Sequence, residues 1–350
     1  MLFRFVGFIY TKSILLVFLA LEFFFVSIDT LKYVNSLPDS ANLLVLFFVY
    51  EFLNALNYTF PISIMLASIT AYITLIKSNQ LVAILSIGYS KKQILKVILF
   101  IATVLNALYI ALNTTPFVYS QENINNIIQR ASISDAKNDI LVKYKNSYVY
   151  INKIYPLLQK AELVKIFETK DLELKKFIQA KEAIFDGEYW ILKEATINNI
   201  PDDLKFGKSK IEIVKMDEYK TLRGFKPKVL DTVYQNKPNA SIIDAFNAFL
   251  LLKEQNLNTQ KIRSLLYSFA IIPLTMVLSI IIISYYMPLL GRYTNLAKLA
   301  FSLTLVALIL WGVFFALTKL SISGFFHPEL GTIIPISILG ITSIFYYKRI

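Results

Sequence analysis

The residues able to do chemistry are few, and they stand where chemistry is costly. Glu22 and Asp29 interrupt an apolar run near residues 13–34, Lys32 stands toward its end, and Glu51 lies in a second run near 43–76. Ionisable side chains at membrane depth are expensive, and they face a cavity or a partner. Asp29 and Lys32 are three residues apart, so on a helix they share a face and can neutralise one another. The alternative is that Lys32 sits at the outer rim of a lipid-filled cavity and holds a phosphate.

Catalysis finds little to work with. The chain has one histidine, His327 beside Pro328, and no cysteine. Neither a Ser/His/Asp triad nor a thiolate metal site can be assembled from that set. The nearest approach to a phosphate-cradling glycine loop is DDLKFGKS, residues 202–209. Its first glycine position is Asp202, whose charge repels a phosphate. The expectation is a chain without a catalytic centre, cofactor or metal of its own.

The elements that carry these residues are membrane spans. The 350 residues are 56% hydrophobic and 14% aromatic, above the share of a soluble domain. Runs long enough to cross a hydrocarbon core fall at 13–34, 43–76, 93–115, 264–287, 296–319 and 331–347. The second run is over-long for one crossing, so it is tilted, protruding or broken near Pro61. Charge is concentrated elsewhere: residues 117–240 hold 21 of the 36 Lys+Arg and 17 of the 24 Asp+Glu. A block of that size can fold as its own domain. The net charge of +12 does not argue for nucleic acid, because the remaining basic residues sit beside spans. Arg4, Lys12, Lys77, Lys91, Lys92, Lys96, Arg292, Lys298, Lys348 and Arg349 fall on one side, against Lys32 and Lys319 on the other. The positive-inside rule then puts both termini in the cytoplasm and the polar block outside.

Between the second and third runs lies KSNQLVAILSIGYSKKQ, residues 77–93. Leu81, Ile84, Leu85 and Gly88 share one helical face. Gly88 can end that helix in a left-handed conformation, and Ser90 with Gln93 makes a capping box that starts the third span. The pattern is helix, stop, restart. It fits a helix lying in the head groups, or a knob for a cytoplasmic partner whose movement levers the spans on each side.

The polar block has β character. ILVKYKNSYVYINKI (140–154) carries two β-rich runs around Lys145-Asn146-Ser147. In residues 176–195, Asp186-Gly187 separates two apolar, aromatic-rich runs and predicts a hairpin with positive φ at both residues. SKIEIVKM (209–216) alternates with period two. Strands at this spacing suggest a sandwich or a jelly roll. From Ser241 to Lys253 apolar residues return at helical spacing, the mark of an amphipathic connector. The expected division is 1–116, three spans with the short helix at 77–90; 117–240, an inserted β domain; and 241–350, connector and three spans.

Three spans, an external β domain and three more spans resemble the lipopolysaccharide export permeases, the LptF/LptG family. Several stretches match in order: Phe60-Pro61, NQLVAILSIGYSKKQI (79–94), YVYINKI (148–154) and Trp190-Ile191-Leu192. SIIDAFNAFLLLKEQNLNTQKI (241–262), Pro273-Leu274 and GFFHPELGTIIP (324–335) continue the series. SIDTLKYVNSL (27–37) and the YYKRI tail resemble the LptG-like member. The resemblance implies a multi-pass protein of the Gram-negative inner membrane with a periplasmic jelly roll. It implies a heterodimer with a second permease of this family and a cytoplasmic ATPase dimer (LptB-like) that carries the ATP and Mg. Single-span LptC-like and periplasmic LptA-like jelly-roll proteins would receive the lipopolysaccharide. In that light Gln80, Leu81, Ile84, Leu85 and Gly88 belong to the coupling helix that sits in the ATPase groove, and Lys32 faces the lipid A phosphates. The first and fifth spans are the candidates for the lateral gate. Gln80 departs from the family's usual Glu, which leaves coupling to apolar contacts or to a matching change in the ATPase. Competing readings are another envelope ABC permease, for lipoprotein release or efflux and usually of four spans, or a non-transporting membrane-anchored scaffold.

Overall fold

A computed structural model describes residues 1–128, 137–144, 146–155, 158–170, 173–201, 210–225, 240–254 and 258–350. The chain forms two compact units, Met1–Ile124 with Gln260–Ile350, and Asn125–Thr259.

The first unit is helical. Helix α1 is Leu2–Leu31, α2 Ala41–Lys77, α3 Gln80–Ser86 and α4 Lys91–Leu112, and α5 (Ser120–Ile128) leads out of the unit. Five described helices are long and apolar enough to cross a membrane, and a bent pair supplies a sixth span, as expected. α2 is the most enclosed of the spans. It is apolar on every side, which suits a helix packed all round rather than at one stripe. Its neighbours α1, α3 and α4 build one core with it through Tyr10, Met65, Tyr72, Leu75, Leu81 and Ile98.

Of the alternatives open to the over-long second run, a break near Pro61 is not the one adopted: α2 runs on as one helix of 37 residues. Proline removes the hydrogen bond to the carbonyl four residues back, here that of Asn57. The Tyr109 hydroxyl of α4 donates to that carbonyl at 3.2 Å and replaces the lost bond. The break falls at another proline.

The second unit runs from β1 (Lys137–Tyr144) through β2 (Ser147–Tyr155), β3 (Lys160–Lys170), β4 (Glu173–Phe185) and β5 (Trp190–Asn199) to β6 (Glu212–Thr221). The described strands make one antiparallel sheet in sequence order, the inserted β domain that the block predicted. β3, KAELVKIFETK, had not been singled out in the sequence. One face is apolar and buried, with Val142, Val149, Ile166, Ile178 and Leu192 on it. The sheet curls. In a flat sheet β1 and β6 would stand about 24 Å apart at ~4.8 Å per strand. Yet the Tyr144 hydroxyl at the end of β1 donates to the Arg223 carbonyl beyond β6 at 2.7 Å. The Trp190 indole N–H donates to the Phe225 carbonyl at 2.6 Å and fixes the same corner.

The turn at Asp186-Gly187 differs from expectation. Only Gly187 has positive φ, and Phe185 pairs with Trp190 across a four-residue loop. The Asp186 carboxylate accepts from the N–H groups of Glu188 (3.0 Å) and Tyr189 (2.7 Å), so the side chain organises a wider turn than the two-residue one. The turn around Lys145 lies partly outside the described residues. After the sheet comes α6, Ile242–Glu254, the expected connector helix, which belongs to this unit.

The first unit then resumes with α7 (Gln260–Ala270) and α8 (Leu274–Tyr286), bent by 46° at the break before Leu274. Pro273 sits in that break, and the Asn106 side chain of α4 donates to its carbonyl at 2.8 Å. α9 is Leu296–Ile322, and a π turn at Glu329–Ile333 opens onto α10, Ile334–Arg349.

Candidate functional site: a lever and a charged rim

The stretch between α2 and α4 folds as its residues dictate. α2 stops at Ser78, and Asn79 takes a left-handed conformation that asparagine tolerates. Seven residues of α3 follow. Gly88, at φ +99°, ends them in a Schellman turn: its N–H donates to the Leu85 carbonyl at 3.0 Å, and the Tyr89 N–H to that of Ile84 at 3.4 Å. Ser90 and Gln93 then cap α4 reciprocally, with the Ser90 N–H 2.8 Å from Gln93 Oε1.

The apolar stripe on α3 turns inward. Leu81 is 0% exposed and Ile84 is buried, both in the core of the helical unit, and Leu85 packs against that core. The outer face carries Ala83, Ser86 and Ile87, with Ile87 76% exposed. Gly88 is exposed. Gln80 is half-buried, and no donor reaches its Oε1. The stripe therefore anchors the helix, and the side chains free to meet another molecule lie off it.

In the sequence Lys91 reads only as a topology charge. A lysine in the first turn of a helix opposes the macrodipole. Here its ammonium reaches the far end of α8 and donates to the carbonyls of Tyr285 (3.1 Å) and Met287 (2.7 Å), where the dipole favours a cation. The short helix is thus continuous with α2 and α4, and the first residue of α4 ties that span to α8. The misfit with the dipole was the one hint available in the sequence.

The charged groups gather at the opposite end of the helical unit. The Lys32 ammonium bonds the Asp29 carboxylate one turn back. Glu51 of α2 lies against Asp29, is 0% exposed, and has no donor at either oxygen. Glu22, deeper on α1 by about 15 Å at ~1.5 Å per residue from Lys32, accepts from the Thr59 hydroxyl. Asn54 donates to Gln121 at 2.8 Å above this group. An aromatic series joins three helices nearby: Phe25 of α1 stacks on Tyr58 of α2, which meets Phe315 of α9, and Phe315 stacks on Trp311. So α1 and α9, the first and fifth spans, approach one another across Tyr58. Toward the membrane both are strongly apolar, with Phe23, Phe24 and Ile28 exposed on α1 and Phe301, Val306 and Ile309 on α9.

His327 is exposed, 3.1 Å from the Gln260 amide, a position that joins two loops. Among the described residues no group of acids and histidine could hold a metal. The segment 202–209 lies outside them.

Chemically, the helical unit offers apolar surface, a group of charged side chains toward the end of α1, and a short helix joined to two spans. The model of one family, described as lipopolysaccharide export system permease LptF/LptG, matches residues 4–349. No curated protein matches. The family match takes in both helical halves and the inserted sheet, and it does not separate the F-like from the G-like member. The chain belongs to the LptF/LptG family of lipopolysaccharide export permeases.

Proposed function

We propose that this permease subunit draws lipopolysaccharide from the outer leaflet of the inner membrane into a chamber formed with a second permease of the family. A separate cytoplasmic ATPase dimer drives the chamber's collapse through α3. The observation that carries this reading is the family match over residues 4–349. The placement of α3 supports it. A helix anchored by Leu81 and Ile84 and continuous with α2 and with α4, whose Lys91 holds the end of α8, cannot tilt alone. Any push on Ile87 reaches three spans. Gln80 keeps its Oε1 buried, so contact with the ATPase falls to the exposed side chains of Ala83, Ser86 and Ile87.

The cargo side follows from solubility. Each acyl CH₂ moved out of an apolar setting costs about 0.8 kcal/mol, so a lipid with several chains needs an apolar chamber to enter. The lipid-exposed faces of α1 and α9 are the proposed gate, and Lys32 at the rim meets a lipid A phosphate. In the periplasm the cargo passes along the inner face of the sheet. That face is open at β6: Met216 is 42% exposed although it pairs with the buried Ala195. It then moves to the single-span and periplasmic jelly-roll partners. In this orientation the chain's termini are cytoplasmic.

Affinity purification in mild detergent, with mass spectrometry of proteins and lipids, tests the reading. The expected companions are a second permease, an ATPase and lipopolysaccharide. Recovery of the chain alone, free of ATPase and glycolipid under conditions that keep it folded, would contradict it.

A further inference from the structure

The cation at the rim already has an anion. Asp29 and Lys32 form an ion pair whose two halves differ sharply in setting: the lysine side chain is 64% exposed and the aspartate side chain 8%. Behind Asp29 stands Glu51, fully buried and without a donor. The hydroxyls of Tyr33 and Tyr58 also face this cluster. Two carboxyl groups thus share one ammonium, and only the ammonium reaches the open side.

We propose that Asp29, backed by Glu51, is a built-in competitor for the cargo's phosphate, which holds Lys32 when the chamber is empty and takes it back when the chamber closes. The inference rests on the reading of Lys32 as a lipid-phosphate contact and adds the means of release. In a wet, open chamber an exposed ion pair is weak. A phosphate, with more charge and more acceptor oxygens than a carboxylate, then wins the lysine. The flexible four-carbon stem lets the ammonium swing across without movement of α1. As the chamber collapses and water leaves, a buried Asp29 without its cation becomes costly. Lys32 returns to Asp29, and the phosphate loses its anchor. A lysine with no such competitor would bind the cargo well and release it poorly.

The test uses the permease purified with its partners and reconstituted in nanodiscs, with bis-phosphorylated lipid A and its dephosphorylated form as probes. Asp29→Asn should tighten binding of the phosphorylated lipid five- to tenfold, leave the dephosphorylated lipid unchanged, and slow ATP-driven release by a similar factor. Asp29→Ser should act in the same direction, and it keeps the test open if Asp29→Asn fails to assemble. Lys32→Gln should weaken binding of the phosphorylated lipid, and the double variant Asp29→Asn/Lys32→Gln should match Lys32→Gln alone. If Lys32→Gln weakens binding while Asp29→Asn and Asp29→Ser leave it unchanged or weaker, the competitor role is overturned and the rim contact stands. If Lys32→Gln is silent, the rim contact itself falls, and the competitor role falls with it.

Discussion

Leu81 and Ile87 sit six residues apart on one short helix and face opposite demands. Leu81 is enclosed by the spans, so Leu81→Ala should destabilise the protein by about 2–5 kcal/mol, read from thermal unfolding in detergent. Ile87 touches little, so Ile87→Asp should change stability by less than about 0.5 kcal/mol yet abolish recovery of the ATPase in a pull-down. A variant that loses the ATPase only through Leu81 would move the contact to the inner face. In the sheet, the two N–H groups of Tyr189 and Glu188 hold the Asp186 carboxyl below the usual aspartate range. A depressed value in the folded state means that the turn is stabilised at pH above the unfolded aspartate value. That support is lost as pH falls through the lower, folded value. Amide exchange protection at Glu188 and Tyr189 should therefore collapse in acid, and Asp186→Asn should remove the pH step. The stop and cap signals at Gly88, Ser90 and Gln93 were legible because their partners lie within a few residues. The direction in which Leu81 and Ile84 face was not. An apolar stripe between two spans is satisfied as well by those spans as by another protein.

Among the elements, α4 braces two prolines. Tyr109 serves the carbonyl freed by Pro61, and Asn106 serves the carbonyl of Pro273. Tyr109→Phe should cost about 0.5–1.5 kcal/mol and speed hydrogen exchange in α2 around residue 57. Unchanged exchange there would mean that the proline is accommodated by other means. This pairing explains why the sequence leaves a break at Pro61 open and the fold has none: the compensating donor lies on another helix, 52 residues from the carbonyl it serves. The sheet shows the same limit. Its strands alternate and could be read one by one, whereas its curl depends on Tyr144 meeting Arg223 across the unit.

For the whole molecule, the six spans and the inserted sheet follow from hydropathy and charge, and their order carries the family. The tie between α4 and α8 through Lys91 does not follow from pattern, because it depends on which side chains the packed helices bring together, whereas the Asp29 counter-ion of Lys32 is legible in their spacing of three residues. On the function proposed above, the chain is a passive chamber moved from outside through α3. Its most direct test is lipid flux from proteoliposomes that hold the permease pair with and without the ATPase. The prediction is ATP-dependent loss of lipopolysaccharide from the vesicles, absent without the ATPase and equally absent with Ile87→Asp in an intact, folded permease pair. Export by the permease pair alone, or full export with Ile87→Asp, would contradict the account.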